Sequence, residues 1–449
     1  MTAQNQVSSP INQDNVSESA RTTPIARTAD VVVCGGGPAG IAAAFAAAAA
    51  GARTVLLESG GCLGGVWTAG LLGYILDAKP DSPVTRRLVD ELDRLGGEKR
   101  LSELSSKVGY AWAKNSFIYD AEAMKWVLER ECLRLGVTVQ LHTRVCAVVR
   151  DGGRIQAVVT ESKSGRQAWT AGVVIDATGD GDVAAQAGCA FDLGRPGSGE
   201  VQPLTLMCMV TTPFPERLKP LAFGGGVSLL KALKEAGVKT SYGAAVMFRV
   251  RDDLYAFMMN HRYGSGLDAA ELTRATFEAR TEIHETVRAL RALGGVWEGF
   301  QVVATAPQIG VREGRRIRGR AQVTVADLVA GTVQADGICR VTFPIDVHST
   351  SKDSGEAFDA DNKIRSQPYD IPLRALMAAD VDNLLLAGRC ISGDFLAHSS
   401  YRVTGNAVAT GEAAGVLAAL AVKTGREPAQ VAWAEFQAAE RAGAARLAG

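Results

Sequence analysis

None of the eight cysteines (Cys34, Cys62, Cys132, Cys146, Cys189, Cys208, Cys339 and Cys390) stands in a C-x-x-C pair or at a zinc-ligand spacing. That excludes a thioredoxin-like dithiol and a zinc module, and leaves scattered reduced thiols of the cytoplasmic kind. Net charge is also missing: 48 basic residues meet 48 acidic ones. No long-range field then draws the protein to nucleic acid or to an anionic membrane. The first 29 residues are polar and lack the apolar core of a signal peptide, so they read as a disordered leader. The apolar run from Ile41 to Ala50 is short of the roughly 20 residues that a bilayer needs. Neither nucleic acid nor membrane is expected as a partner, and a homodimer is left open.

What is present is glycine, 49 residues of it in 449, above the ~7% of an average chain. Much of it sits in clusters between apolar runs, where it allows turns and close backbone approach to a ligand. The length suits two cores rather than one.

The strongest signal follows Asp30: VVVCGGGPAGIAAAFAAAAAGARTVLLESG. Val31 to Val33 form a buried-strand run, Gly35, Gly37 and Gly40 spell G-x-G-x-x-G, and the Ala-rich stretch from Pro38 through Ala39 to Ala50 is a helix former. Strand, glycine turn, helix and strand in that order are the dinucleotide fingerprint. Gly35 allows the turn, Gly37 lets backbone reach a pyrophosphate, and Gly40 lets helix and strand pack. Glu58 closes the next strand, where a carboxylate accepts hydrogen bonds from both ribose hydroxyls of an adenosine and repels a 2′-phosphate. A second glycine cluster follows at once, from Ser59 through Gly64 and Gly65 to Thr68. A simple NAD dehydrogenase has no use for backbone close to its ligand there, whereas FAD extends past the second strand.

After a helix expected from Tyr119 to Leu135 come hairpin signals at Asp151-Gly152-Gly153 and Ser164-Gly165, giving a three-stranded antiparallel excursion in which Val145 or its neighbours meet the adenine. Thr178, Gly179 and Asp180 end the returning strand beside the dinucleotide; Asp180 and Asp182 serve there or cap the next helix. From about Gln202 the pattern changes to longer strands, LTLMCMV, AAVMFRV and GFQVVATAPQIG, with helical material over 269 to 293. The charged segment Arg312 to Arg320, with Arg315 and Arg316 at its centre, binds a substrate carboxylate or phosphate, or forms an ionic belt between domains. It lacks the interleaved aromatics of a single-strand nucleic-acid groove. Near the C-terminus a strand around Leu384 to Ala387 ends at Gly388-Arg389, and a Gly/Ala-rich helix starts near Thr404, Gly405 and Asn406, its positive end facing the flavin pyrimidine edge.

The glycine start, GCLGG at Gly61 to Gly65, R-E-x-R-R-I-x-G at Arg312 to Gly319, I-D-x-H at Ile345 to His348 and the Asn383 to Ser392 segment together resemble the FAD-dependent oxidoreductases with the glutathione-reductase-type FAD fold. The resemblance runs from Asp30 to about Ala421. It implies an α/β architecture: a Rossmann-like FAD-binding domain (30–201 and 371–425) with an inserted mixed-sheet α+β substrate domain (202–370) and a C-terminal helix (426–449). It implies FAD threaded past Gly37, Glu58, Gly64, Gly65 and the Gly388 to Gly405 region, with a small-molecule substrate on the exposed flavin face. Gly314 departs from the serine or threonine often found at its place, which removes a polar contact. No histidine stands in Gly64 to Gly70, so the FAD is expected to be non-covalent.

The expected activity is hydride transfer between a small, anionic substrate and flavin N5, with the electron acceptor unknown. A reductase or hydroxylase fed by transiently bound NAD(P)H, or a non-redox FAD-binding protein, is the alternative. Of only five histidines, His348 and His398 fall in motif-like loops and are the candidate bases, or else structural residues. Arg402 neutralises reduced flavin or orients an anionic substrate. Arg389 does the same or sits in an internal ion pair.

Overall fold

The computed structural model describes residues 18, 20–95, 98–100, 116–223, 225–350, 357–359 and 363–448. Strand Ile25–Cys34 pairs in parallel with Thr54–Leu57 on one side and with Gly165–Asp176 on the other, so that Val31 lies between Thr54 and Val173. Val31 to Cys34 are fully buried, as a strand covered on both faces requires. The seven-stranded sheet runs Thr138–Gln140, Thr54–Leu57, Ile25–Cys34, Gly165–Asp176, Arg154–Ser162, Arg144–Asp151. Gly165–Asp176 is the branch point. Its first half pairs antiparallel with Arg154–Ser162, and its second half pairs in parallel with Leu384–Leu386, which returns the chain's C-terminal part to the same sheet.

The expected leader, residues 1–29, overlaps the first strand. Residues 25–29 belong to the first strand, with Ile25 opposite Ala168 and Ala29 opposite Ala171. This half of the strand is held by backbone pairing and by the Thr28–Thr170 hydroxyl pair while most of its side chains face solvent, so no apolar pattern marks it.

Helix Pro38–Ala49 begins with proline, whose missing N–H has no partner to lose at a helix start. It is buried on nearly every side because helix Thr404–Thr424 lies across it. A Cβ on Gly411 would stand 2.1 Å from the Ala39 carbonyl oxygen, and one on Gly415 2.2 Å from that of Ala43. Only glycine lets the two backbones meet this closely. Thr404–Thr424 is long and apolar enough to cross a membrane, but 83% of its most apolar window is buried inside the protein.

A second core lies against a four-stranded antiparallel sheet, Val246–Arg249, Leu254–Met258, Cys208–Thr211, Gln301–Thr305. Helix Ala269–Ala292 covers it with Ala275, Ala279, Ile283, Val287 and Leu290, a one-face spacing of three and four. The inserted segment ends earlier than the expected 370. From Ile317 to Tyr369 most of the buried apolar residues, among them Val323, Leu328, Val341 and Tyr369, join the first core, while Ala357 packs against the second. Strands Gly337–Val341 and Tyr369–Pro372 pair with each other and belong to that core, a partnership that residue alternation cannot distinguish from membership of the second sheet. Helices cover Ala121–Leu135, where Asp120 caps the start, and Trp433–Ala448 at the C-terminal end.

Candidate active site

A cavity of about 620 Å³ runs between the two cores. At one end stand Gly35, Gly37, Pro38 and Ala39. Gly35 has φ +98°, and a Cβ there would lie 2.4 Å from the Ala177 carbonyl oxygen. A Cβ on Gly37 would meet nothing within 4 Å, so the space beside it is open, and no side chain caps the helix that follows. Gly40 is off the wall; its missing Cβ makes room for the Gly35 carbonyl, which is the expected packing role.

Glu58 lines the cavity and accepts the N–H groups of Gly36 and Gly60, both at 2.6 Å, while the Ser59 hydroxyl donates to it. The carboxylate thereby ties the two glycine clusters together. Val145, Ser59 and Gly65 also line the wall, whereas Gly64 is turned away, with its N–H bonded to the Gly36 carbonyl. Opposite stand Thr178, Gly179 and Asp180, with Gly388 and Arg389 beside them. Asp180 pairs with Arg389 at 3.0 Å and Asp182 with Arg315, so neither aspartate caps the following helix. Asp176 and Thr178 bond its first turn instead. Burial raises the Asp176 carboxyl to about 6, against the hydrogen bonds from Thr178 and Ala184. Asp176 was not singled out from the sequence, although its place at the end of VVID marks it as the last strand residue before the turn.

Val403, Thr404 and Ala407 at the start of the long helix complete this wall. The buried Thr404 hydroxyl has no hydrogen-bond partner among the described residues. Gly405 and Asn406 do not line the cavity. Gly405 packs against the backbone of Asp77, where a Cβ would be 2.2 Å from the carbonyl oxygen, and the fully buried Asn406 accepts the Cys339 thiol.

The far end has an apolar side, Tyr74, Met207, Met258 and Ile309, and a charged side, Arg312, Asp346, His348 and Arg402. Arg402 holds Asp346 at 3.1 Å, and His348 Nε2 meets the same carboxylate oxygen at 3.2 Å. His348 Nδ1 meets His261 Nε2 at 3.1 Å, and Tyr242 packs on His261 in a tilted arrangement with ring centroids 4.2 Å apart. Arg312 donates to the Pro203 carbonyl and the Thr205 hydroxyl, both at 2.7 Å, and no carboxylate lies within ion-pair distance among the described residues. Burial, with Arg402 adding to it, lowers its pKa to about 10. Arg312 is nonetheless charged at neutral pH.

Three expected catalytic residues are not at the cavity. His398 is 0% exposed inside helix Phe395–Tyr401, and burial together with Arg316, Arg402 and Arg389 holds its pKa well below the usual histidine value. It is a neutral core residue. Arg316 is buried against Glu313 and the Gly194 carbonyl, and Arg315 is spent on Asp182 and the Asp180 carbonyl. A Cβ on Gly314 would strike Asp180, so glycine is what lets this segment run past it. The sequence reading missed His261, which has no motif around it; it lies just past strand Leu254–Met258, off the cavity wall, and touches the site through His348.

The family model described as FAD dependent oxidoreductase matches residues 30–439. The chain belongs to that family. Among solved structures, this family member is similar to a geranylgeranyl bacteriochlorophyll reductase-like protein from Thermoplasma acidophilum (14% identity, 92% of this chain and 82% of that one, TM-score 0.48). A flavoprotein/dehydrogenase from Cytophaga hutchinsonii gives 15%, 91% and 81%, with TM-score 0.48. p-Nitrophenol 4-monooxygenase from Pseudomonas putida gives 16%, 66% and 70%, with TM-score 0.40. No curated protein matches the chain. FAD is the cofactor of this oxidoreductase, and its fold is a Rossmann-like α/β domain carrying additional sheet elements. The cavity fits that cofactor: open space beside Gly37, an uncapped helix start and the unpartnered Thr404 hydroxyl are features that a dinucleotide completes.

Proposed function

We propose that the protein removes a hydride from a small carboxylate-bearing substrate whose carboxylate binds Arg312. The observation that carries this reading is Arg312 itself, a charged guanidinium on the cavity wall bonded only to neutral acceptors. A carboxylate brought there gains charge-assisted, bidentate hydrogen bonds. Met207, Met258 and Ile309 then cover the apolar body of the substrate and exclude water.

Gly35, Gly37, Glu58, Gly65, the Thr178 to Asp180 turn, Arg389 and Thr404 would hold FAD non-covalently. Once bound, it supplies a two-electron acceptor. The proton that leaves with the hydride passes to the Asp346–His348 pair. Asp346 Oδ2 already accepts from Arg402 and His348, and Oδ1 has no bond among the described residues. Burial opposes ionisation of Asp346, but His348, Arg402 and Arg312 outweigh it and hold the pKa well below the usual range. Such a carboxylate is a weak base, so it takes the proton only from a substrate hydroxyl made strongly acidic as hydride departs.

The test is an anaerobic screen of small carboxylates and their neutral analogues, scored by bleaching of the visible flavin absorbance. Saturable bleaching by carboxylates and not by their amides or esters supports the reading. Fast saturable bleaching by NADH or NADPH alone would replace it with a nicotinamide-fed reductase or hydroxylase.

A further inference from the structure

The hydrogen bonds behind Asp346, together with the burial of the two rings, constrain where the protons of His348 and His261 sit. An ionised carboxylate only accepts, so His348 must present N–H at Nε2, 3.2 Å from Asp346 Oδ2. Burial and Arg312, against the pull of Asp346, lower the His348 pKa to about 4, so at neutral pH the ring carries a single proton and Nδ1 is an acceptor. The group facing Nδ1 is His261 Nε2 at 3.1 Å, which therefore donates. His261 is left with a bare Nδ1, and that atom is buried with no partner among the described residues. Burial and Arg312 push the His261 pKa far down, consistent with a ring that never takes a second proton.

We propose that His261 is a positioning residue whose Nε2–H occupies His348 Nδ1 and so keeps His348 neutral, a fixed Nε2–H donor to Asp346 rather than a proton acceptor. The tautomer has a direct consequence at the cavity. With both ring nitrogens engaged, His348 offers no lone pair to a substrate, and Asp346 Oδ1 is the accepting atom of the pair. Among the described residues, the other charged and titratable groups that face the two rings are Arg312, Arg402 and Tyr242, and Tyr242 packs on both, with ring centroids 4.2 Å from His261 and 5.7 Å from His348. This packing fixes the ring plane of His261, so its donor is aimed before any substrate arrives.

The inference concerns the cavity of the proposed oxidation but not its substrate, so it is tested on substrate-free holoenzyme. Only five histidines contribute to a spectrum of protein labelled with 15N-histidine, and His348→Gln identifies the signals of interest. Protonated and unprotonated ring nitrogens differ widely in 15N shift. The expected result is one protonated and one unprotonated nitrogen on His348, assigned Nε2–H, unchanged from about pH 6 to about pH 8. His261→Gln, which keeps a donor at the same reach, should preserve that pattern. His261→Leu removes the donor that opposes a second proton on Nδ1, so it should keep Nε2–H but raise the His348 titration by roughly one unit, read by carrying the spectra down to about pH 4. A proton on Nδ1, a doubly protonated His348 at neutral pH, or a His261→Leu protein with an unchanged His348 titration would each overturn the proposal. Should the leucine variant not fold, the wild-type tautomer and the glutamine variant still decide.

Discussion

Arg316 is closed against Glu313 in a fully buried ion pair, while Arg312, the residue just before that glutamate, is left with neutral partners on the cavity wall. Two arginines of one short segment thus have different work, one in the core and one at the site. Arg312→Leu should raise the substrate KM or Kd by roughly 10- to 100-fold with FAD still bound, the loss expected for a charge-assisted pair. Arg316→Ala should strand Glu313 in the core and cost about 3–5 kcal/mol of stability. Substrate titration and thermal melting of both variants separate the two roles; a selective KM defect in folded Arg316→Ala would reverse the assignment.

Gly37 and Gly405 divide in the same manner. A side chain on Gly37 enters open space, so Gly37→Val should leave the melting of apoprotein unchanged and abolish FAD retention. A side chain on Gly405 enters the backbone of Asp77, so Gly405→Ala should destabilise apoprotein and holoprotein alike by about 1–3 kcal/mol. Flavin absorbance per mole of protein, read beside the melting curves, checks both.

His348→Ala should slow flavin reduction by substrate by about tenfold or more, through loss of the donor that orients Asp346. His398→Ala should instead open a hole in the core and lower the melting temperature. In the fraction that folds, its reduction rate should stay within about twofold of wild type, because the ring does not reach the cavity wall. Anaerobic stopped-flow absorbance measures both; a rate collapse in folded, FAD-loaded His398→Ala would restore that histidine as a base.

Glu412 gives a pH signature away from the cavity. On the long helix it accepts the Ser82 hydroxyl and the Val84 N–H, and burial raises its pKa from 4.5 to about 7. The folded state therefore holds this proton more tightly than the unfolded chain does. Its contribution to stability is complete below pH 4.5 and is lost as pH rises through 7. Glu412→Gln keeps an acceptor for both bonds without the titrating proton, so it should stabilise the protein at pH about 8 by roughly 2 kcal/mol and much less at pH about 5. Equal melting shifts at the two pH values would show that this carboxyl does not titrate in the range.

The dinucleotide end was legible because its determinants are local. Gly35, Gly37 and Gly40 act within one turn, and Glu58 follows at a fixed distance along the next strand, so spacing carries the geometry. The Ala-rich helix and the capped helix at Ala121–Leu135 were readable for the same reason. Thr178 to Asp180 and Gly388 to Arg389 were each legible as strand ends near the dinucleotide; that they share one wall follows from the parallel pairing of their strands, whose ends lie side by side.

The charged end was decided only by tertiary structure. His261, Arg312, Asp346, His348 and Arg402 come from separate segments, and nothing in their spacing states that His348 faces both Asp346 and His261, or that His398 points inward. The sequence by itself determined a glycine-turned nucleotide site on a parallel sheet, because backbone conformation and helix ends are properties of neighbouring residues. Which arginine meets a substrate and which lies in the core depended on where Glu313, Gly194 and Thr205 stand in space. Those partners are assembled by packing two cores against each other, and ionic and tautomeric states follow from burial and distance, which exist only in the folded chain.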